Sequence, residues 1–224
     1  MSVKGDTIFS NNPWDKGGEN ITYNQARQET DDTRKIILLK ARMDVFLIDQ
    51  IQEVSKHNSV YNPEIWSPFP LAVMTFLAIE TLGRVISDHT KIKNKSNYET
   101  SKRFSRPIYQ KIDYKLIDKP NKEFYLQMEN RLGKNDKKSI DAYCDVIHKY
   151  MRNTYYHGFQ GVLVYLNHNL ETEWEINEGY LVINPYRFWD KFKSEYIKCF
   201  DLLIKNKDPK LTKNALDYFH KLLE

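Results

Sequence analysis

Apolar residues recur every three or four positions over several long stretches of the chain, which is the pattern of helices that bury one face. These stretches cover residues 33–57, 71–88, 123–132 and 138–152. The second stretch is apolar around most of its circumference, which predicts a helix at the centre of a bundle. Prolines between positions 62 and 70 separate it from the first.

The pattern changes in the last third of the chain. Three short β-favouring runs, separated by turn residues, lie within residues 161–183 and predict a small hairpin or meander. Two helices follow at about 185–223, and each opens at a proline preceded by Asn or Asp. The sequence therefore predicts a mainly α fold, a helical bundle with a small β insertion.

The same patterning divides the chain into an arm and a body. Residues 1–31 are polar and show no sustained period, which predicts a flexible N-terminal arm. Residues 32–224 have the length of a single domain with a sizeable core.

Two sequence features bear on where the protein works. It has two cysteines without paired spacing and no apolar leader, which favours a reducing, cytoplasmic location. The longest apolar run, 71–86, contains Glu80 and Arg84 and is too short to cross a bilayer, so we expect no membrane association.

Positive charge is concentrated in one stretch. Residues 89–119 carry nine Lys or Arg against three acids, a net charge of +6 in a chain whose total is +4. Aromatic residues are interleaved with these cations, as expected of a surface that follows a phosphate backbone and stacks bases. A solvated, partly disordered connector has the same composition. On the first interpretation, Lys102, Arg103 and Arg106 contact RNA.

The candidate chemistry lies at the end of the fourth predicted helix, where residues 152–158 read R-N-T-Y-Y-H-G. Arg152 is a permanent cation and His157 titrates near neutrality, and together they can hold a phosphate and move a proton. In a regular helix, five steps of about 100° would leave the two side chains about 140° apart. Either the helix breaks between them, or a second copy of the chain completes the site across a two-fold axis.

The R-N-x-x-x-H-G string at the end of a bundle helix resembles the HEPN superfamily, many of whose members are metal-independent ribonucleases with an R-x4-6-H motif. The resemblance covers residues 33–160 in helix order, and only the seven-residue motif is specific. It implies a homodimer in which two copies of the motif line one cleft. By resemblance, Arg152 would hold the scissile phosphate and His157 would transfer protons, with no metal and no cofactor.

The residue types suit that reaction. Attack of a ribose 2′-hydroxyl on its phosphate needs a proton acceptor, a proton donor and positive charge on the phosphorane oxygens. Asn153 either donates a hydrogen bond to the phosphate or caps a helix end. Tyr155 and Tyr156 either stack an unpaired base or pack in the core or dimer interface.

Glu80 and Arg84 lie one turn apart in the most apolar predicted helix, where a lone charge would be costly. Their spacing predicts an ion pair. The functional alternative is that Glu80 orients Arg152 or His157.

We therefore expect an endoribonuclease that cleaves single-stranded RNA at a homodimer cleft. It would act as a toxin or in antiviral defence, under the control of a regulatory protein or antitoxin. The alternative is a non-catalytic HEPN-like module that binds RNA, a nucleotide or a protein. A third interpretation is an oligomeric interaction protein in which the motif is accidental.

Overall fold

A computed structural model describes residues 7–15, 18–60, 68–89, 97–132, 140–149 and 164–224. Most of these residues are helical. In chain order the helices are α1 (Tyr23–Gln28), α2 (Asp32–Met43), α3 (Asp49–Val60), α4 (Phe69–Ile86), α5 (Asn97–Ile112), α6 (Lys122–Leu132), α7 (Tyr143–Ile147), α8 (Pro185–Ile204) and α9 (Pro209–Leu223). A π-helical turn, Asp44–Ile48, joins α2 to α3, and a 3-10 turn, Tyr114–Ile117, follows α5. The predicted mainly α fold is confirmed.

Helix α4 lies at the centre of the bundle. It packs against α5, α8 and α9, and α2 packs against α8 and α9. Leu71, Ala78, Ile79 and Leu82 of α4 have no exposed surface. Most of the buried apolar side chains of the described residues join in one cluster, and α4 contributes many of them.

By length and composition alone, α4 would be able to cross a membrane. In the fold, however, 67% of it is buried among the other helices. A core helix of a bundle passes the same test of length and composition, so this single apolar helix is weak support for a membrane span.

The last two helices begin where the sequence predicts. Asn184 caps α8 by accepting hydrogen bonds from the backbone N–H groups of Tyr186 (3.1 Å) and Arg187 (3.2 Å). Its amide also donates to the carbonyls of His168 (2.9 Å) and Leu170 (2.7 Å). An aspartate caps α9 in the same way, which confirms both predicted starts.

The predicted flexible arm is corrected for residues 7–15 and 18–31. Strands β1 (Ile8–Ser10) and β2 (Ile21–Thr22) pair antiparallel, and α1 follows directly. Strands of two and three residues are too short to show a period in the sequence, which is why the arm looked unstructured.

Side-chain contacts of Phe9 and Arg27 hold this N-terminal segment to the bundle. Phe9 is fully buried, and its ring centroid lies 5.2 Å from that of Tyr23 and 5.5 Å from that of Phe219. Arg27 donates to the carbonyl of Leu223 from Nε (3.0 Å) and Nη2 (2.7 Å). The segment is therefore packed against α9 and α2.

The predicted β insertion forms a three-stranded sheet of β3 (Val164–Leu166), β4 (Trp174–Asn177) and β5 (Tyr180–Ile183), in the order β3-β5-β4. The β4–β5 hairpin is confirmed, and residues at 178 and 179 turn it with positive φ. Strand β3 pairs with β5 in parallel, which a meander does not have. Alternation in the sequence predicts strands but not which strands pair.

Within the basic stretch, residues 97–112 form helix α5, which packs against the core. Phe104 and Tyr109 of α5 are 2% and 1% exposed, so these two rings pack in the core and are not available to stack bases. Helices α4 and α5 approach so closely at Gly83 that a Cβ there would lie 1.8 Å from the carbonyl oxygen of Phe104.

Candidate functional site

Five predicted site residues lie within 150–163, outside the described residues: Arg152, Asn153, Tyr155, Tyr156 and His157. Their roles stay predictions. The structure describes the elements that flank this segment, α7 and residues 148 and 149 on one side and β3 on the other.

Helix α7 starts later than the predicted residue 138. Ala142 is extended (φ −151°, ψ 162°), and the helix begins at Tyr143. One carboxylate oxygen of Asp145 accepts the backbone N–H groups of Asp141 (2.8 Å) and Ala142 (3.0 Å). This side chain satisfies amide groups that precede the first turn, and it fixes the start of the helix.

Asp145 is also the buried centre of an ionic group, which we call the Asp145 cluster: Asp141, Asp145, Lys102 and Arg106. Lys102 Nζ lies 3.0 Å from Asp145 Oδ2 and 3.3 Å from Asp141 Oδ2. Arg106 Nη2 lies 3.7 Å from Asp145 Oδ2. The side chains of Asp145 and Lys102 are 1% and 7% exposed. The cluster therefore ties α5 to the first turn of α7.

The charge state of Lys102 follows from its position. Burial alone would lower its pKa, but hydrogen bonding and attraction from Asp145, followed by those from Asp141, outweigh burial and raise the pKa above its ordinary value. Lys102 is therefore a charged structural residue at neutral pH.

The three cations predicted to contact RNA have different environments. Lys102 is buried, which corrects its assignment as a surface contact. Arg106 is 40% exposed in its side chain and lies beside Asp145. Arg103 is exposed. Solvent reaches Arg103 and part of Arg106, so the basic character of α5 at the surface is smaller than its composition suggests.

The predicted ion pair in α4 is confirmed. Arg84 donates to one oxygen of Glu80 from Nη2 (2.7 Å) and Nε (3.2 Å). Glu80 is 8% exposed in its side chain, and the guanidinium of Arg84 also lies over the ring of Phe104, 4.8 Å from its centroid. The functional alternative for Glu80 involves Arg152 and His157, which lie outside the described residues, and it stays a prediction.

Burial makes the two cysteines weak nucleophiles. It raises the pKa of Cys144 to about 12 and that of Cys199 to about 11. Both therefore remain thiols at neutral pH. Within the described ranges, no three His, Cys, Asp or Glu side chains are grouped as a metal ion would require.

A groove of about 360 Å³, which was not predicted from the sequence, lies between the end of α5 and α8. We call it the Tyr114 groove, and its lining includes Lys111, Asp113, Tyr114, Glu173, Lys191 and Glu195. These side chains come from three segments that lie far apart in the chain. No local pattern reveals such a site, although the aromatic residue among cations at 111–115 is a partial signal.

Comparison of the chain with protein-family models, curated proteins and solved structures gave no match. The resemblance to the HEPN superfamily therefore rests on the motif and on helix order alone.

Proposed function

We propose that this protein is a metal-independent endoribonuclease that cleaves single-stranded RNA, with Arg152 and His157 as its catalytic residues. The observation that carries the proposal is the R-N-x-x-x-H-G string, which begins five residues after the end of α7 in a mainly helical fold. Helix α7 supports it, because a buried ionic cluster fixes its first turn seven residues before Arg152. A motif that must hold a phosphate in one position needs to follow a rigid element of the backbone.

In the proposed reaction, the ribose 2′-hydroxyl attacks the adjacent phosphorus and the bond to the 5′-oxygen breaks. One histidine accepts the 2′-hydroxyl proton, and a second protonates the leaving 5′-oxygen. Arg152 stabilises the charge of the phosphorane. In a homodimer, the two copies of His157 supply both proton-transfer groups. The products are a 2′,3′-cyclic phosphate and a 5′-hydroxyl.

A non-catalytic RNA-binding module is the second candidate. It is favoured by the Tyr114 groove, where an exposed aromatic ring and lysines lie together on residues outside the motif. On this proposal the protein would bind RNA without cutting it. The toxin or defence role, and a regulatory protein or antitoxin as partner, are part of the first proposal.

The test is RNA cleavage in excess EDTA, with the product ends identified. We would compare the wild type with Arg152→Ala and His157→Ala, and with Arg187→Ala and His220→Ala as controls that remove one exposed arginine and one exposed histidine elsewhere. Circular dichroism and size-exclusion chromatography establish that each variant is folded.

The proposal expects 2′,3′-cyclic phosphate ends from the wild type and both controls, and no cleavage by either motif variant. Cleavage that needs a divalent metal, or that persists in both motif variants, would contradict it. RNA binding without any cleavage would favour the second candidate.

A further inference from the structure

The Tyr114 groove has the volume of a small-ligand site and presents one exposed aromatic ring. Its volume of about 360 Å³ falls within the range of such sites, roughly 300–1,000 Å³. Tyr114 is 65% exposed, the largest value among the large hydrophobic side chains of the described residues. An aromatic face left open to solvent in a polar groove is a suitable platform for a nucleobase.

The backbone that presents Tyr114 is fixed on both sides. One oxygen of Asp113 accepts the backbone N–H of Lys115 at 2.9 Å, and the other accepts the indole N–H of Trp174 at 2.9 Å. The buried Leu116 anchors the 3-10 turn in the core. The ring therefore stands on a rigid support, which lowers the entropic cost of stacking a base against it.

The carboxylates of the groove are already engaged, and one cation is not. Glu173 lies 3.8 Å from Lys191, Glu195 lies 2.6 Å from Lys198, and Asp113 holds the two N–H groups described above. Among the residues that the structure describes, Lys111 takes part in no ion pair. A phosphate beside the stacked base would therefore find its counter-charge at Lys111.

The groove is connected to the start of α7. The ring of Tyr143, the first residue of α7, lies 5.4 Å from that of Trp174, which holds Asp113. Arg152 follows Tyr143 by nine residues, and nine residues span at most roughly 30 Å. One RNA strand of a few nucleotides would thus be able to contact both the groove and the motif.

We propose that the Tyr114 groove binds one unpaired nucleotide of single-stranded RNA, with its base stacked on Tyr114 and its phosphate paired with Lys111. The inference rests on the proposed function for its choice of RNA as the ligand. It adds a subsite outside the Arg152–His157 motif, and this subsite would hold the strand whether or not the motif cuts it.

The test is a binding measurement that does not depend on cleavage. A fluorescently labelled 12-nucleotide RNA with 2′-O-methyl groups lacks the attacking hydroxyl, so it stays intact, and fluorescence anisotropy in EDTA gives its Kd. The proteins are the wild type, Tyr114→Ala, Tyr114→Phe and Lys111→Gln. Lys213→Gln removes an exposed lysine on α9 and serves as the control for charge.

Tyr114→Ala should weaken binding by roughly 5- to 150-fold, the usual loss for one stacked base, whereas Tyr114→Phe should bind like the wild type. Lys111→Gln should reduce the slope of log Kd against log salt by about 0.7, the value for one phosphate on a single strand. Lys213→Gln should leave both quantities unchanged, and a duplex of the same sequence should bind more weakly than the single strand.

Equal affinity of the wild type and Tyr114→Ala would overturn the inference, as would failure of the wild type to bind RNA. The binding assay and the cleavage assay can fail independently of one another. If the motif cuts RNA but Tyr114→Ala binds normally, the proposed function stands and the groove does not. If binding depends on Tyr114 but no cleavage occurs, the groove stands and the catalytic proposal fails.

Discussion

Replacing Asp145 with alanine should be among the most damaging single changes to the described part of the protein. The Asp145 carboxylate is 1% exposed and accepts the backbone N–H groups of Asp141 and Ala142 while pairing with Lys102 and Arg106. In Asp145→Ala, the ammonium of Lys102 loses its 3.0 Å contact with Asp145 and keeps its contact with Asp141, at 3.3 Å and with a side chain 69% exposed.

The size of the effect follows from burial. Removing one partner of a buried ion pair costs about 3–5 kcal/mol, since the remaining charge stays away from water. A buried amide left without an acceptor costs about 1–3 kcal/mol. Arg106 is 40% exposed and can turn to solvent, and Asp141 retains part of its contact with Lys102. We therefore expect Asp145→Ala to lower the free energy of unfolding by about 3–5 kcal/mol.

Lys102→Met should cost less, about 1–3 kcal/mol, because Asp145 would keep both backbone N–H groups and Arg106. In the Lys102→Met background, Asp145→Ala no longer removes a carboxylate from beside an ammonium group. The double-mutant cycle should therefore show a coupling energy of about 2 kcal/mol, within the usual range for residues in contact. Asp141→Ala is the matched control, since its carboxylate is mostly exposed and should matter little.

Urea unfolding at pH 7, followed by circular dichroism, measures the four free energies of unfolding in the cycle and that of Asp141→Ala. A loss below about 1 kcal/mol in Asp145→Ala would refute the reasoning, since surface substitutions cost that little. Additive effects of the two substitutions would show that Lys102 and Asp145 do not stabilise one another.

Further measurements test the charge of Lys102 and two other parts of the structure. Because the folded state raises the pKa of Lys102, the stability that its charge contributes is complete below pH 10.5, its ordinary pKa, and is lost as the pH rises through the raised value. The difference in Tm between the wild type and Lys102→Met should therefore narrow above pH 10.5. Gly83→Ala should destabilise the protein by about 1–3 kcal/mol or more in urea unfolding, because its Cβ would displace α5 at the Phe104 carbonyl, and an unchanged midpoint would contradict that contact. Asn184→Ala should lower the free energy of unfolding by about 2 kcal/mol, because α8 loses its cap. Asn184→Asp keeps the capping oxygen but loses the amide donor, so its Tm should lie between those of Asn184→Ala and the wild type.

What the sequence predicted well depends on local interactions. Asn184 and Asp208 accept hydrogen bonds from N–H groups two and three residues ahead, so the cap and the helix start are visible in a few letters. The Glu80–Arg84 pair lies within one turn of one helix. The period of α4 was visible because its whole length is apolar.

What the sequence hid depends on contacts between distant segments. In the sequence Lys102 resembles a surface cation, but in the structure it is buried and pairs with Asp145, 43 residues further along the chain. Helix α5 contains Phe104, Ile108 and Ile112 at helical spacing, but its many charges are also typical of a solvated connector. The Tyr114 groove has walls from three segments, so it exists only after the helices have packed.

The hydrogen bonds from Arg27 to the carbonyl of Leu223 join residues 196 positions apart. During synthesis, the N-terminal segment leaves the ribosome before the rest of the described elements, and its partner in α9 follows only after all the others. Until then Phe9 lacks the ring of Phe219, and an aromatic side chain that is fully buried in the finished fold stays open to other hydrophobic surfaces. A nascent chain halted before α9 should therefore be prone to aggregation, and docking of the first strands should be among the last steps of folding.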